Sequence, residues 1–425
     1  METYLITVSN LYMIKSNWET ENKVIKTDRT RMDLGRTNRR AVLAAVVLNG
    51  PLSRTGIAKI TNLTAAAVSR ITRDLIEAHL IEELPEAADA PNEPPRGPGR
   101  RFVELDVNPS GGYILGIGVN VFSQSITLAD LKNRRIARHD LKLSNLTDPN
   151  VVINRLTEEA NAIVDQHVQD RQRLFGASFA FTGAVDPKEG VVRTSPYLRW
   201  GAVALGERLT QALNTPVRIE SLPAAVALAE SKFGIAQGMK NLLAVNCSLG
   251  IGAAILSDGR LVRGHDFAAG LIGGIFPPGE PSGTLDNLAS GHGILMSLLG
   301  DDLDISATPS NRLAESLLEA MANARNGDAA TARATADAGR VLGETLVPFL
   351  ALLHPQSVMI SGPLAMVPQY VNACRQALAP IGKQISCELL ISDLSAQAAA
   401  RWVAIDEFLL ERDLNLDDLK LSEAA

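Results

Sequence analysis

The side chains with the clearest chemical potential in this sequence are the small, hydroxyl and arginine residues that follow Leu63. They alternate with apolar residues at helical spacing, so they would face outward: Thr64, Ala65, Ala67, Ser69, Arg70 and Arg73. Small residues let the N-terminal end of a helix enter the DNA major groove, while hydroxyl and guanidinium groups reach base edges and phosphates. The pattern predicts DNA contact. An ordinary pair of packed helices with a solvated basic face is the alternative.

Two helices joined by a tight turn are needed to present those side chains. Ser53 and Thr64 are residue types that cap helix N-termini. Each precedes an apolar run at helical spacing, the first comprising Ile57, Ala58 and Ile60 and the second Val68, Ile71, Leu75, Ile76 and Leu80. Thr61-Asn62-Leu63 interrupts the period between the two runs. The pattern predicts a helix-turn-helix within residues 51–84.

One more helix and two strands are predicted around this pair. An apolar run from Ala41 to Leu48 predicts a helix that starts near Arg39 and ends at Asn49-Gly50. Leu80-Ile81 and Phe102-Val103-Leu105 have the residue types of short strands. Together these elements predict a winged helix-turn-helix.

The segment between those strands, residues 87–101, is rich in proline, glycine and arginine. This composition predicts an extended chain that cannot fold onto itself. Arginines on an extended chain fit a narrow minor groove, where the negative potential is strongest. Arg96, Arg100 and Arg101 are therefore predicted DNA contacts, and a plain solvated linker is the alternative.

Charge and cysteine usage constrain the class of protein. The 425-residue chain has a formal net charge of −6, but its arginines concentrate in the first quarter, which suggests a nucleic-acid module joined to an acidic body. Cys247, Cys374 and Cys387 are far apart and odd in number, so neither a disulfide framework nor a cysteine metal site is expected. Without a membrane-spanning run or a signal-peptide pattern, the protein is expected to be soluble and cytoplasmic.

From Gly111 onward the pattern changes to alternating strands and helices. The predicted strands are residues 113–119, 125–130, 174–181, 217–220, 242–248 and 250–256, and the predicted helices include residues 148–169 and 224–233. The two halves begin alike, in a duplicated βββαβα pattern. Such a duplication predicts two lobes with a cleft between them.

Several short motifs follow one another along residues 39–410. They are the helix-turn-helix, Gly99-Arg100-Arg101 with Asn108-Pro109, Gly112-Tyr113-Ile114-Leu115-Gly116-Ile117, Gly183-Ala184-Val185-Asp186-Pro187 with Gly190, Ser195-Pro196, Gly250-Ile251-Gly252-Ala253, Asp258-Gly259-Arg260-Leu261, and His354-Pro355 through Ser361-Gly362-Pro363-Leu364. In this order they resemble the ROK family (repressors, open reading frames and sugar kinases), specifically its winged-helix repressors. The resemblance implies an N-terminal winged helix-turn-helix, mostly α, followed by an α/β two-lobed domain of the actin-like ATPase kind.

The chain departs from the sugar kinases of that family at the positions of catalysis. Where those kinases have Glu-Asn-Asp, with the Asp as general base, this chain has Glu220, Ser221 and Leu222. Leucine cannot accept a proton. The phosphate loop Asp-x-Gly-Gly-Thr is replaced by residues 118–121, Gly-Val-Asn-Val, which removes charge and backbone flexibility needed for phosphoryl transfer. No catalytic residue and no cofactor are predicted.

The family's zinc motif is also absent. Its Glu-x-Gly-His falls on residues 271–274, Leu-Ile-Gly-Gly, and its cysteine cluster falls on Pro277, Gly279 and Thr284. These residues are not metal ligands, so no zinc is predicted. The Glu of the first motif contacts sugar in the family, and here Leu271 takes its place.

Polar residues still fall at the predicted cleft. The candidate ligand-binding residues are Thr182, Gly183, Ser221, Asn246, Ser248 and Asp286, with His292 as a further possibility. Each of them has an alternative structural role as the cap of a strand or a turn, and His265 and His292 are expected to be structural. The cleft either binds a different or less hydroxylated molecule than a sugar, or binds nothing.

The predicted organisation has five parts. They are a flexible or uncertain N-terminal extension (1–35), the winged helix-turn-helix with its basic linker (36–106), a first lobe (107–235), a second lobe (236–395), and a C-terminal helix that returns to the first lobe, with a tail (396–425).

The predicted function is transcriptional regulation, most simply repression of genes for carbohydrate or related small-molecule metabolism. A homodimer or homotetramer would bind a pseudo-palindromic operator, because the symmetry of the protein is matched by that of the DNA. A small-molecule effector, a sugar or a derivative, would act in the cleft. The alternatives are a sugar kinase with an N-terminal head, which lacks its base, and a regulator controlled by a protein partner alone.

Overall fold

The computed structural model describes residues 34–85, 103–143, 145–280, 283–300, 308–412 and 414–419. The chain divides into two compact units. Unit 1 contains the residues up to Gly111 and those from Leu410 on, and unit 2 is Gly112–Leu409. In the described residues, every helix is too short or too polar to cross a membrane.

Unit 1 contains the three helices and two strands predicted for the head, and it adds a two-residue strand and a short C-terminal helix that were not predicted there. They are α1 (34–49), β1 (Leu52–Ser53), α2 (Arg54–Thr61), α3 (Ala65–Glu77), β2 (Ile81–Glu83), β3 (Glu104–Val107) and, near the C-terminus, α13 (Leu416–Leu419). Both predicted N-caps are confirmed: the Ser53 side chain accepts a hydrogen bond from the Gly56 N–H at 3.1 Å, and that of Thr64 accepts one from the Ala67 N–H at 3.2 Å. Asn62, in the left-handed region at φ 55°, ends α2.

Two predictions for unit 1 were wrong, one about the start of the first helix and one about the buried face of α3. The first helix begins at residue 34, before Arg39, because its first turns are polar and carry no apolar period. Ile76, expected in the buried stripe of α3, is only half-buried, whereas Thr72 is buried and its hydroxyl accepts a hydrogen bond from Arg54 Nε at 3.3 Å. Strands β1, β3 and β2 form an antiparallel sheet in that order.

Two segments with predictions lie outside the described residues. The first is the N-terminal stretch 1–33, and the second is 86–102, which contains Arg96, Arg100 and Arg101. Their predicted roles stay predictions.

The first lobe of unit 2 is a five-stranded mixed sheet with strand order β10-β7-β4-β5-β6. Its elements are β4 (Tyr113–Val119), β5 (Gln124–Asp130), β6 (Arg135–Asp140), α4 (Pro149–His167), β7 (Leu174–Phe181), β8 (Ala184–Asp186), β9 (Val191–Thr194), α5 (Leu205–Leu213), β10 (Val217–Ser221) and α6 (Leu222–Phe233). Strands β8 and β9 form a separate hairpin. Core strands β4 and β7 are buried almost throughout, as expected for strands covered on both faces.

The second lobe repeats this plan with strand order β13-β12-β11-β14-β15. Its elements are β11 (Leu242–Cys247), β12 (Ile251–Ser257), β13 (Arg260–Leu261), α7 (Leu285–Ala289), α8 (Gly291–Leu299), α9 (Ser310–Arg325), α10 (Ala329–Leu353), β14 (Ser357–Ser361), α11 (Pro368–Ile385) and β15 (Glu388–Ile391). The chain then forms α12 (Ala396–Ile405) and a π-helical turn, Asp406–Leu410. Two similar sheets confirm the predicted duplication.

Helix α12 lies directly against the centre of the first sheet at Gly116. A Cβ atom at Gly116 would lie 2.4 Å from both Arg401 Cγ and the Gln397 carbonyl oxygen, which is far inside van der Waals contact. The glycine therefore sets how closely the helix packs on the sheet. The other end of the helix is held by ring stacking of Trp402 on Phe233, with centroids 4.2 Å apart, and by an ion pair between Lys232 and Asp406 at 2.5 Å.

Gly116→Ala should lower the free energy of unfolding by about 1–3 kcal/mol, because the added methyl group forces α12 away from the sheet. Gly201→Ala is the matched control, since a Cβ at Gly201 meets no atom within 4 Å. Chemical denaturation of both variants and the wild type measures the difference. Equal destabilisation by the two substitutions would contradict the packing argument.

Candidate functional site

A cavity of about 310 Å³ lies between the two lobes of unit 2. We call it the cleft. It is lined by all six residues predicted to bind a ligand: Thr182, Gly183, Ser221, Asn246, Ser248 and Asp286. The structure thus brings together residues that are spread over more than a hundred positions of the sequence.

The ends of three strands place most of these residues at the cleft. Thr182 follows β7, Ser221 is the last residue of β10, and Asn246 and Ser248 lie at the end of β11. Because β7 and β10 are parallel neighbours, their carboxyl ends meet at one edge of the sheet. Gly183, at φ 153°, allows the turn after Thr182, where a Cβ would lie 2.4 Å from the Thr194 carbonyl oxygen.

The polar groups in the cleft differ in how far they are already satisfied. Asp286 Oδ1 accepts a hydrogen bond from the Ile251 N–H at 2.6 Å, and Asn246 Nδ2 donates to Ser361 Oγ at 3.2 Å. Thr182 Oγ1, in contrast, is buried and has no partner among the described residues. Ser221 occupies the N-cap position of α6 without a side-chain capping bond. The Ser221 hydroxyl is therefore not used as a helix cap, and the Thr182 hydroxyl is unpaired within the residues that the structure describes.

An ion pair between the lobes is the main feature that the sequence analysis missed. Arg263 Nη1 and Nη2 donate to Glu220 Oε1 and Oε2, both at 2.7 Å. Glu220 is only 1% exposed and belongs to the first lobe, whereas Arg263 follows β13 in the second lobe. Arg218 Nη2 approaches the same carboxylate at 3.4 Å. Nothing in the sequence pairs residues 43 positions apart, so only the fold reveals this contact.

Burial controls the ionisation of two neighbouring groups in the cleft. Burial raises the pKa of Asp286 above its ordinary value, although the hydrogen bond from Ile251 opposes this shift. Burial, and then the nearby Asp286 carboxylate, raise the pKa of the Tyr197 phenol. For both groups burial favours the neutral form over the charged form.

Neither histidine considered in the sequence analysis lines the cleft. His292 is half-buried at the start of α8, burial lowers its pKa, and its backbone N–H donates to the Leu249 carbonyl at 3.1 Å. His265 is exposed, with its ring 3.1 Å from the Asp266 carboxylate.

The positions of the kinase motifs have local structural roles. Asn120 Oδ1 accepts hydrogen bonds from the N–H groups of Phe122 at 2.8 Å and Ser123 at 2.9 Å. These donors are therefore used within the turn between β4 and β5 and are not directed at a phosphate. Leu222, at the base position, is the first residue of α6 and only 8% exposed. Leu271, at the sugar-contacting position, also lines the cleft.

Within the described residues no group of three or more His, Cys, Asp or Glu side chains could hold a metal ion. Gly274, Pro277 and Gly279, which fall at family zinc-ligand positions, have no ligating side chain.

The predicted DNA-contacting residues of α3 form a second candidate site, in unit 1. Thr64, Ala65, Ser69, Arg70 and Arg73 are exposed, as expected, whereas Ala67 is half-buried. Thr64 uses its hydroxyl in the N-cap of α3, so its role there is structural. Ala66 is exposed instead of Ala67 and was not predicted, because the helix is rotated slightly from the expected face.

Comparison with known proteins places this architecture in a class. A crystal structure described as a ROK family transcriptional regulator, homolog of the E. coli MLC protein, superposes with a TM-score of 0.68 at 24% identity, covering 89% of this chain and 98% of that one. A ROK family glucokinase from Streptomyces griseus gives a TM-score of 0.54 at 17% identity, covering 70% of this chain and 99% of the enzyme. The fold of unit 2 is thus that of the two-lobed sugar kinases.

The sequence comparisons identify the family. The family described as "ROK family" matches residues 115–401, and the chain belongs to it. The E. coli K12 regulator NagC is 29% identical over 340 residues, covering 76% of this chain and 80% of NagC. The E. coli K12 repressor Mlc is 26% identical over 372 residues, covering 83% of this chain and 88% of Mlc. These matches confirm the prediction of a ROK transcriptional regulator.

Asp286→Asn should stabilise the folded protein at neutral pH and change little at acid pH. Because the folded-state pKa of Asp286 is raised, its stability contribution is complete below the ordinary aspartate pKa and is lost as the pH rises through the raised value. Asparagine keeps an oxygen that can accept from Ile251. Thermal unfolding from about pH 4 to about pH 7 measures the difference.

Asp258→Asn, at an exposed aspartate in the turn after β12, is the control for this experiment. A difference between Asp286→Asn and the wild type that does not vary with pH would contradict the effect of burial.

Proposed function

We propose that the protein is a DNA-binding transcriptional regulator, with unit 1 as a winged helix-turn-helix and unit 2 as a sensor of a small molecule. The exposed face of α3 carries this proposal. It presents Ala65, Ser69, Arg70 and Arg73 to solvent, on a helix fixed from behind by buried Val68, Ile71 and Leu75. Small residues at the start of a helix and arginines one to two turns later suit entry into the major groove.

The extent of the similarity supports a regulator over a kinase. The repressor Mlc matches 83% of this chain and the crystal structure of the Mlc-like regulator covers 89% of it, whereas the glucokinase covers 70%. We further propose that unit 2 has no kinase activity. Leu222 cannot act as a base, and the N–H groups of the turn at Asn120 are used internally.

The cleft supports the sensor role. Its volume lies at the lower end of small-molecule sites, and its lining combines many apolar side chains with a few polar groups, among them the Thr182 hydroxyl, which is unpaired in the described part of the chain. Relatives include proteins named for sugars, such as the N-acetylglucosamine repressor of Shigella flexneri. By analogy, the regulated genes serve carbohydrate or related metabolism. An effector acts by binding one arrangement of the lobes more tightly than another.

The regulator binds a pseudo-palindromic operator as a homodimer or homotetramer in this proposal. Two-fold symmetric heads contact two half-sites separated by about one helical turn of DNA. The arginines Arg96, Arg100 and Arg101 of the basic linker enter the adjacent minor groove.

Replacing both Arg70 and Arg73 by Ala should weaken binding about tenfold or more to a duplex selected by the wild type from a random pool. Each lost phosphate contact should also reduce the slope of log K against log salt by about one. Arg333→Ala removes the same charge from an exposed position on α10 and is the control. Unchanged affinity in the double variant would refute the role of α3.

The linker arginines are tested separately. Replacing Arg96, Arg100 and Arg101 by Ala should weaken DNA binding and lower its salt dependence, with the larger loss for operators that have A·T-rich flanks. Fluorescence anisotropy with A·T-rich and G·C-rich flanks measures both effects. The same affinity and salt slope as the wild type would indicate a plain linker.

A further inference from the structure

We infer that the cleft selects a small ring compound with few hydroxyl groups, which presents one hydrogen-bonding edge and one apolar face, over a fully hydroxylated hexose. The inference rests on the proposed sensor role of the cleft. It adds the chemical class of the effector, which the sequence alone leaves open.

The first argument concerns carboxylates, which are the strongest acceptors for sugar hydroxyl groups. Among the described residues that line the cleft, the carboxylates are Glu220 and Asp286. An ionised carboxylate offers about four acceptor sites. Those of Glu220 are taken by Arg263 twice, by Arg218 and by the Ser221 N–H. Glu220 therefore cannot bind a ligand hydroxyl while this ion pair is intact.

The Asp286 carboxylate also has little acceptor capacity left for a ligand hydroxyl. One of its oxygens accepts from Ile251, and a Cβ at Gly273 would lie within 2.6 Å of all three carboxyl atoms, so the glycine backbone covers this side chain closely. The neutral polar side chains that remain in the lining are the hydroxyl groups of Thr182, Thr194, Tyr197, Ser221 and Ser248 and the amide of Asn246. These neutral groups can serve one edge of a ring.

The second argument concerns the apolar lining. Leu222, Leu261, Phe267 and Leu271 line the cleft together with Ile251 and several alanines. A ligand hydroxyl placed against these side chains loses its hydrogen bonds to water and gains none in return. Each such hydroxyl weakens binding by about tenfold or more. A ligand that lacks this hydroxyl group avoids the loss of binding affinity, and its apolar carbon atom contacts the apolar side chains of the cleft.

A substitution at Leu222 can distinguish a cleft that prefers ring compounds with few hydroxyl groups from one that prefers hexoses. As the first residue of α6, it is where an aspartate is favoured by the positive end of the helix dipole. The helix dipole offsets part of the cost of placing a carboxylate at this largely buried position, and Leu222→Asp adds an acceptor to the cleft. Leu222→Met, which keeps the apolar character and the approximate volume, is the matched control.

The test measures thermal midpoints of the full-length wild type and both variants with matched compounds. D-glucose and D-galactose are each compared with their 6-deoxy and 2,6-dideoxy counterparts, and 4-hydroxybenzyl alcohol serves as an aromatic ring with two hydroxyl groups. A ligand that binds only the folded state raises the midpoint by mass action. Binding to the selected DNA duplex is measured in parallel.

We expect the deoxygenated or aromatic compounds to raise the midpoint of the wild type and of Leu222→Met more than the parent hexoses do. In Leu222→Asp the preference should shift towards the hexoses by about tenfold or more. A larger effect of the hexoses on the wild type, or an unchanged order in Leu222→Asp, would overturn the inferred class and leave the sensor role standing. No effect of any compound, with DNA binding intact, would overturn the sensor role itself.

Discussion

A buried carboxylate must be paired, and in this protein the pair joins the two lobes of unit 2. Glu220 lies at the end of β10 with almost no exposure, where an uncompensated charge would destabilise the fold by several kcal/mol. Arg263 supplies the compensation from the other lobe with two hydrogen bonds of 2.7 Å. This bidentate contact therefore helps to fix the relative placement of the lobes, and with it the shape of the cleft, together with the hydrophobic side chains that pack between them.

That contact also leaves the end of β10 without a free carboxylate. Here the carboxylate at the end of β10 is neutralised by arginine, the next-but-one residue is Leu222, and the turn at Asn120 satisfies its own N–H groups. Each change removes charge or free donors, and what remains is a largely apolar cavity with neutral hydroxyl groups.

Helices α6 and α12 pack against each other within unit 2. Helix α6 begins at Leu222 in the cleft and ends beside α12, where Phe233 stacks on Trp402 and Lys232 pairs with Asp406. The π-helical turn after α12 leads into the C-terminal segment of unit 1, in which the Leu414 carbonyl accepts a hydrogen bond from Arg39 on α1. Unit 1 is thus built from both ends of the chain, and one of them continues directly from the helices beside the cleft.

The sequence by itself determined the elements whose signals are local. Capping residues Ser53 and Thr64, the apolar period of α3 and the buried runs of β4, β7 and β11 fixed the helix-turn-helix and the two similar lobes. The motifs also predicted which polar residues meet at the cleft.

The sequence did not predict strand β6. Its residues, Arg-Ile-Ala-Arg-His-Asp, show no apolar alternation because the strand is the exposed edge of its sheet. Only the tertiary structure paired Glu220 with Arg263 and showed that Ala67 is partly covered. Pairing across lobes and the exact rotation of a helix depend on packing between distant segments, which leaves no periodic trace in the sequence.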